Sequence, residues 1–310
     1  MRLLSTSRLL FIVIVYLIIL LLLNACESNR HISAKEAAYI AEIEDWHAQR
    51  IKSLKSKTGW LSLAGLFWLN EGENTFGAQS DNDIEFPREK SPDYIGSFFL
   101  DSGVVRVEIR EGINVFNKDS LVKSIPMQPD VSGKPTILAL DSLNWFIIKR
   151  GDRYAVRLRD RESENFANFG GIERFPIDTT WRVDAKLEYY TPAKKIEVPN
   201  IIGTISEENS PGSLVFSIEG KEYRLDPIAE ADSKSLFLIF ADQTNGIETY
   251  GAGRFLRVKM PAEDGWTVID FNKAYNPPCA FTRYATCPLP PPQNVVPIRI
   301  TAGEKKYGEH

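Results

Sequence analysis

Trp181-Arg182-Val183-Asp184-Ala185-Lys186-Leu187-Glu188-Tyr189 alternates without a break, with Trp, Val, Ala, Leu and Tyr at odd positions and charged residues between them. Successive strand side chains point to opposite faces, so this stretch reads as a half-buried antiparallel strand with a charged outer face. The same period continues in both directions. Toward the C-terminus it recurs at 196–198, 201–205, 253–258, 266–271 and 295–300. Leu214 to Ile218 and Tyr223 to Leu225 flank Glu219-Gly220-Lys221, a tight hairpin signal. Leu236 to Phe240 is apolar throughout and predicts a central strand.

Toward the N-terminus, Trp145 to Arg150 turns at Gly151-Asp152 into Arg153 to Arg159, and Phe98 to Leu100 turns at Asp101-Ser102-Gly103 into Val104 to Ile109. Shorter apolar runs lie at 60–63, 66–69, 115–116 and 137–140. Short strands with turn signals every 8–12 residues or so predict a mainly β chain, an antiparallel sandwich and/or barrel. One amphipathic helix precedes them. Ser33-Ala34-Lys35-Glu36 is a capping box, and Ile40, Ile43, His47, Ile51 and Leu54 form one stripe, with Trp46 at its edge. On that face His47 reads as a packed histidine with one satisfied nitrogen rather than a base.

At 310 residues the chain can bury a sizeable core. A net charge of −4 argues against a nucleic-acid partner, which needs a clustered basic surface. Arg2 and Arg8, the apolar run Leu9 to Leu23, and Asn24-Ala25-Cys26 have the order of a secretory signal. Leu23-Asn24-Ala25-Cys26 resembles the bacterial lipobox, which implies lipidation of Cys26 and a membrane partner through that lipid. An uncleaved anchor is the rival reading, and both place the body outside the cytoplasm. The expected divisions are 1–25 lipoprotein signal peptide, 26–58 tether and amphipathic helix, 59–130 N-terminal β sub-domain, and 131–310 C-terminal β domain. The soft boundary falls near Ile125 to Pro135, rich in proline, glycine and polar residues.

Within the last division lies Asp270 to Asn294, DFNKAYNPPCAFTRYATCPLPPPQN. Prolines at 277, 278, 288, 290, 291 and 292 exclude a regular helix or central strand. The segment is nevertheless too aromatic for a solvated linker. It predicts a rigid strap across the core. Cys279 and Cys287 suit a small disulfide loop in an oxidising compartment. C-x7-C is not zinc-ligand spacing, and His31, His47 and His310 are distant, so no metal is predicted. No cofactor fingerprint is present either: Gly251-Ala252-Gly253 lacks the spacing of a phosphate cradle.

Three functional readings follow. Asp242, Tyr250, Arg254, Asp270, Asn272, Tyr275 and Asn276 fall at predicted strand ends or loops, where they could recognise a small polar or saccharide ligand under the strap. The competing use of these side chains is to satisfy backbone groups that prolines orphan. Asp242, Asp270 or Glu304 could instead serve as acid and base of a glycosidase-like hydrolase. The third reading is a structural envelope component without a ligand. A Ser-based triad is disfavoured, since His47 is the sole embedded histidine and G-x-S-x-G is absent. Arg153, Arg157, Arg159 and Arg161 share one strand face; a solvated face neutralised by Asp160, Glu162 and Glu164 is the simpler reading, an anion site the other.

Two resemblances stand beside these readings. Gly59-Trp60-Leu61, Gly72-x-Asn74-x-x-Gly77, Arg159-Asp160, Phe175-Pro176, Trp181-Arg182, Phe240-Ala241-Asp242-Gln243-Thr244, Thr249 to Leu256, the strap and Ala302-Gly303-Glu304-Lys305 resemble the bacterial DUF1684 family. That resemblance implies a β-rich extracytoplasmic protein of the bacterial cell envelope and transfers no catalytic residue. Leu69-x-x-Gly72 to Gly77, Asp83-Ile84 and the Gly96 to Leu100 strand resemble a forkhead-associated domain. Ala78 follows Gly77 where that group carries arginine, so this second resemblance implies the sandwich shape alone.

Overall fold

A computed structural model describes residues 33–229 and 234–308. The apolar run at 9–23 and the lipidation site expected at Cys26, with His31 and His310, lie outside the described residues. Two units separate, 1–42 and 43–310. Helix α1 (Ala34–Leu54) spans the division between them. In the first unit the capping box forms, the Glu36 amide donating to Ser33 Oγ at 3.1 Å. In the second, Ile43 and Leu54 are fully buried. Among the described residues no helix is long and apolar enough to cross a membrane.

The rest is mainly β. The first eleven strands are β1 (Leu63–Trp68), β2 (Gly72–Gly77), β3 (Ile84–Glu85), β4 (Gly96–Asp101), β5 (Val104–Ile109), β6 (Phe116–Asn117), β7 (Ser120–Leu121), β8 (Ser124–Pro126), β9 (Leu138–Leu140), β10 (Leu143–Arg150) and β11 (Arg153–Asp160). They form sheets ordered β1-β11-β10-β9-β6-β7 and β3-β2-β4-β5-β8, antiparallel except for the β2/β3 pair. The sheets share one core around Trp145, whose ring meets Phe76 at 5.8 Å and Phe86 at 5.3 Å, both edge-on. Strand pairing therefore runs across the boundary that composition suggests near 125–135. Leu63 pairs with Arg159, so the N-terminal sandwich closes at Asp160, because β1 joins its sheet only through β11, which in turn pairs with β10.

The second half contains β12 (Arg182–Pro199), β13 (Ile205–Ile218), β14 (Lys221–Leu225), β15 (Ile228–Ala229), β16 (Ser235–Phe240), β17 (Arg254–Lys259) and β18 (Trp266–Asp270). These form the antiparallel sheets β14-β13-β12-β18 and β15-β16-β17, which share a second core of Leu187, Leu214, Phe216, Leu238, Leu256 and Phe271. The expected alternation forms from Arg182 to Glu188, with Ala185 and Leu187 buried and the charged residues outward, whereas Trp181 lies in the 3-10 turn before the strand and Tyr189 is exposed. Pro192 does not end β12. The ladder skips from Tyr189–Gly212 to Lys194–Ser210, and this irregularity absorbs Pro192 and Pro211 outside the paired positions. The strand expected at 295–300 is replaced by a single bridge from Val295 to Ala241. Pro297 lies within it, and the Ile300 amide is diverted to the Asp242 carboxylate at 3.2 Å.

The strap is laid along the body and tied at each bend. Tyr275 exchanges both backbone hydrogen bonds with Phe255 at 2.8 and 2.9 Å, extending the sheet beyond β17. Cys279 and Cys287 are joined by a disulfide, with Cα atoms 6.1 Å apart. Leu289 donates to the Pro199 carbonyl at 2.7 Å. Pro290 rests on Gly253, whose φ is +90°; a Cβ there would meet Pro290 Cγ at 2.4 Å. Asn294 closes the strap by accepting from the Asp226 amide at 2.7 Å and donating to the Asp226 and Ile239 carbonyls.

Candidate functional site

Residues read as one polar constellation separate into a sealed network and a cleft. The sealed network is built on Arg254 at the start of β17 and Asp242 just after β16. Both side chains are fully buried and paired at 2.7 Å. Asp242 Oδ1 accepts from the Thr244 amide and hydroxyl, at 2.8 and 2.6 Å, and from the Ile300 amide. Arg254 donates to the carbonyls of Ile300 and Ala302. Burial pulls the Arg254 guanidinium below its usual range, and the Asp242 charge opposes that. This pair pins the C-terminal segment to the second core and presents no face to a ligand.

Asn272 and Asp270 also serve the backbone. Asn272 Nδ2 donates to the Asp178 carbonyl at 2.8 Å, and Asn272 Oδ1 accepts from the Asp178 amide at 3.1 Å. Asp270 caps the turn after β18 by accepting from the Asn272 amide at 3.2 Å. Tyr250 packs with Leu54, Leu61 and Phe281 in a separate apolar cluster, and burial raises its hydroxyl pKa.

The cleft lies where the first arm of the strap passes α1. It encloses about 380 Å³ between Trp46, Gln49 and Arg50 of the helix, Arg257 of β17, and Lys273 and Tyr275 of the strap. One helical turn places Trp46 and Arg50 on the same side. The Trp46 and Tyr275 rings lie 6.3 Å apart and tilted by 53°, and the Arg50 guanidinium sits 4.7 Å from the Tyr275 centroid. Behind this wall, Arg50 pairs with buried Glu304 at 3.2 Å and donates to the Asn276 carbonyl at 2.9 Å. Glu304 Oε2 accepts from the Asn276 amide at 2.7 Å. Burial pushes the Glu304 carboxyl up, while Arg50 and the Asn276 amide pull it down. Burial likewise raises the Tyr275 hydroxyl, against the charges of Arg50 and Arg257.

This arrangement offers two aromatic walls, an amide and three cationic side chains. No carboxylate, serine, threonine, cysteine or histidine lines the cleft. Of the residues predicted for ligand recognition, Tyr275 lines it directly and Asn276 shapes its rear wall. Trp46, Gln49, Arg50, Arg257 and Lys273 were not singled out for recognition from sequence. A usable signal existed in the Trp46–Arg50 spacing along the edge of the helix's apolar stripe. Metal-ligating groups of His, Cys, Asp and Glu are absent among the described residues.

A second and larger cleft, about 780 Å³, runs between Leu63, Ala64 and Leu66 of β1 and Phe281 to Ala285 of the strap. Here the four-arginine face departs from the solvated reading. Arg153 and Arg161 are exposed, but Arg157 is only 4% exposed because residues 284–286 of the strap cover it. His47 is half-buried with Nδ1 unpartnered, and burial, then Arg174, lowers its pKa.

With this geometry in place, residues 167–305 match the model of the DUF1684 family, described as a protein of unknown function. The match takes in the second pair of sheets, the whole strap and Glu304. An uncharacterised protein of Haloarcula marismortui, solved by NMR, is 28% identical over 46% of this chain and 80% of its own, with a TM-score of 0.39. Two forkhead-associated domain structures, one from a study of phosphothreonine-dependent interactions and one of the FhaA domain in a complex, are each 14% identical. They cover 30% of this chain and 92% and 97% of their own, with TM-scores of 0.19. No curated protein matches the chain.

Proposed function

We propose that this is a lipid-anchored protein of the bacterial cell envelope that binds a small polar or saccharide ligand in the cleft between α1 and the first arm of the strap. The carrying observation is the lining: Trp46 and Tyr275 supply ring faces, Gln49 an amide, and Arg50, Arg257 and Lys273 cationic side chains. Rings suit the apolar face of a sugar, and cations suit a carboxylate or phosphate substituent upon it. A lining with three cationic side chains and no carboxylate favours an acidic sugar over a neutral one. Support for the anchor is the order of Arg2, Arg8, the 9–23 apolar run and Cys26, together with a disulfide-bearing body suited to an oxidising compartment.

Binding is favoured over hydrolysis by where the carboxylates go. Asp242 gives its oxygens to Arg254, Thr244 and Ile300, and Glu304 gives its own to Arg50 and the Asn276 amide. Neither is offered to the cleft. The test is a thermal-shift screen of the detergent-solubilised full chain against neutral and acidic monosaccharides, such as glucose and glucuronate, followed by a turnover assay on any hit. An acidic-sugar shift without turnover, weakened about tenfold in affinity by Lys273→Ala, is expected from the loss of one charge-assisted contact. No shift across the panel would leave the structural reading in its place.

A further inference from the structure

Arg157 is the anomaly of the N-terminal sandwich. Its neighbours Tyr154, Ala155, Val156 and Leu158 are buried as their strand positions require, and Arg157 is buried with them at 4% exposure. Buried guanidiniums are ordinarily paired with a carboxylate, as Arg254 is here. Among the described residues Arg157 has none within ion-pair distance. Its two hydrogen bonds are both made by Nη2, at 3.4 Å to the Tyr284 carbonyl and 3.3 Å to Thr286 Oγ1. Its Nε is buried without a partner, and so is the Nε of Arg159 two residues along.

The surroundings add positive charge. Thr286 Oγ1 also accepts from Arg150 Nε at 3.2 Å, so one neutral hydroxyl holds two guanidiniums together. Asp130 is the carboxylate of this group, and it is committed to Arg150 at 2.8 Å. Three guanidiniums against one carboxylate leave a local charge of about +2 before any anion arrives. Burial, followed by the charge of Arg150, brings the Arg157 pKa down to about 10, so it remains a cation at neutral pH. Side chains of Arg150 and Asp130 are 28% and 23% exposed, which opens the group to solvent on that side.

We propose that Arg150, Arg157 and Arg159 form an oxyanion site beneath strap residues 284–286, with a phosphate group as its ligand. A phosphate ester carries close to two negative charges at neutral pH and several acceptor oxygens. It matches both the charge excess and the unpartnered N–H groups, whose planar forks suit phosphate geometry. This site lies on the first sandwich and is independent of the cleft beside Tyr275.

The test compares thermal shifts of the detergent-solubilised full chain in inorganic phosphate and in chloride at matched ionic strength. Phosphate at ten times its dissociation constant is expected to raise the melting temperature by roughly 2–4 °C above chloride. Arg157→Gln is expected to abolish that difference while keeping a cooperative transition. An equal rise in both salts, or a full phosphate effect in R157Q, overturns the site. A phosphate effect lost in Lys273→Ala but kept in R157Q places the anion in the other cleft and also overturns it. Should R157Q fail to fold, the part-exposed Arg150→Gln replaces it, and an undiminished phosphate effect there is the overturning result. Glycerol 3-phosphate against dihexanoyl-phosphatidylglycerol then separates the two sources of this chemistry. The more effective of the pair identifies a free ester or a lipid headgroup.

Discussion

Arg254 and Arg157 are the same residue type, each on a β-strand and each buried, yet their surroundings differ in kind. Arg254 meets a carboxylate at 2.7 Å and two backbone carbonyls, inside a network that seals the C-terminal segment to the second core. Arg157 meets a carbonyl and a shared hydroxyl at the edge of hydrogen-bond distance, with further guanidiniums beside it. The contrast separates two uses of a buried cation. A neutralised one is a fastener, whose loss leaves its partner charge stranded. An un-neutralised one is a standing electrostatic demand that an anion from outside can meet.

The largest effect should come from breaking the fastener. Asp242→Ala leaves Arg254 buried without its ion-pair partner and is expected to cost ~3–5 kcal/mol in urea unfolding. Next comes the strap that covers Arg157. Replacing Cys279 and Cys287 with serine opens a short loop and should remove about 2–3 kcal/mol, with a smaller phosphate effect because Thr286 is then less firmly held. Arg157→Met sharpens the contrast most directly. With no carboxylate left stranded, its unfolding free energy should fall within about 1 kcal/mol of the unsubstituted protein, in spite of burial like that of Arg254. A cost comparable with that of Asp242→Ala would make Arg157 a fastener too.

The smallest effect is one of pH. His47 has its pKa lowered below the ordinary 6.5, first by burial and then by Arg174. The unfolded chain therefore binds this proton more readily than the folded one, so stability declines as pH falls below 6.5 through the lowered folded value. Melting temperature followed from pH 7 downward should show a shallower decline in His47→Gln. Glu304 runs the other way. Its raised pKa makes the folded state the better proton acceptor above the ordinary 4.5, so its share of stability diminishes as pH rises through that window.

Local period and turn chemistry made much of the fold legible. The hairpins at 98–109 and 145–159, the alternation from Arg182 to Glu188 and the Ser33 cap each form where their residues predict. These depend on contacts within a few positions or across one turn. The strand expected at 295–300 did not form because its Ile300 amide had a better acceptor in Asp242, 58 residues away. Among the candidate site residues, Tyr275 came to the cleft while Asp242 and Arg254 turned inward toward each other. No local pattern distinguishes those outcomes. The cleft itself joins α1 to a strap more than 220 residues further on, as the Arg50–Asn276 bond shows.

By itself the sequence determined that this chain is mainly β, places an amphipathic helix before its strands, and carries a proline-stiffened segment closed by a disulfide. These follow from side-chain period, fixed backbone angles and cysteine count, all of which act locally. Only the tertiary structure decided which arginines are neutralised. A charge's partner is set by what the folded chain carries past it: Asp242 reaches Arg254, and residues 284–286 reach Arg157 with a hydroxyl and a carbonyl instead of an acid.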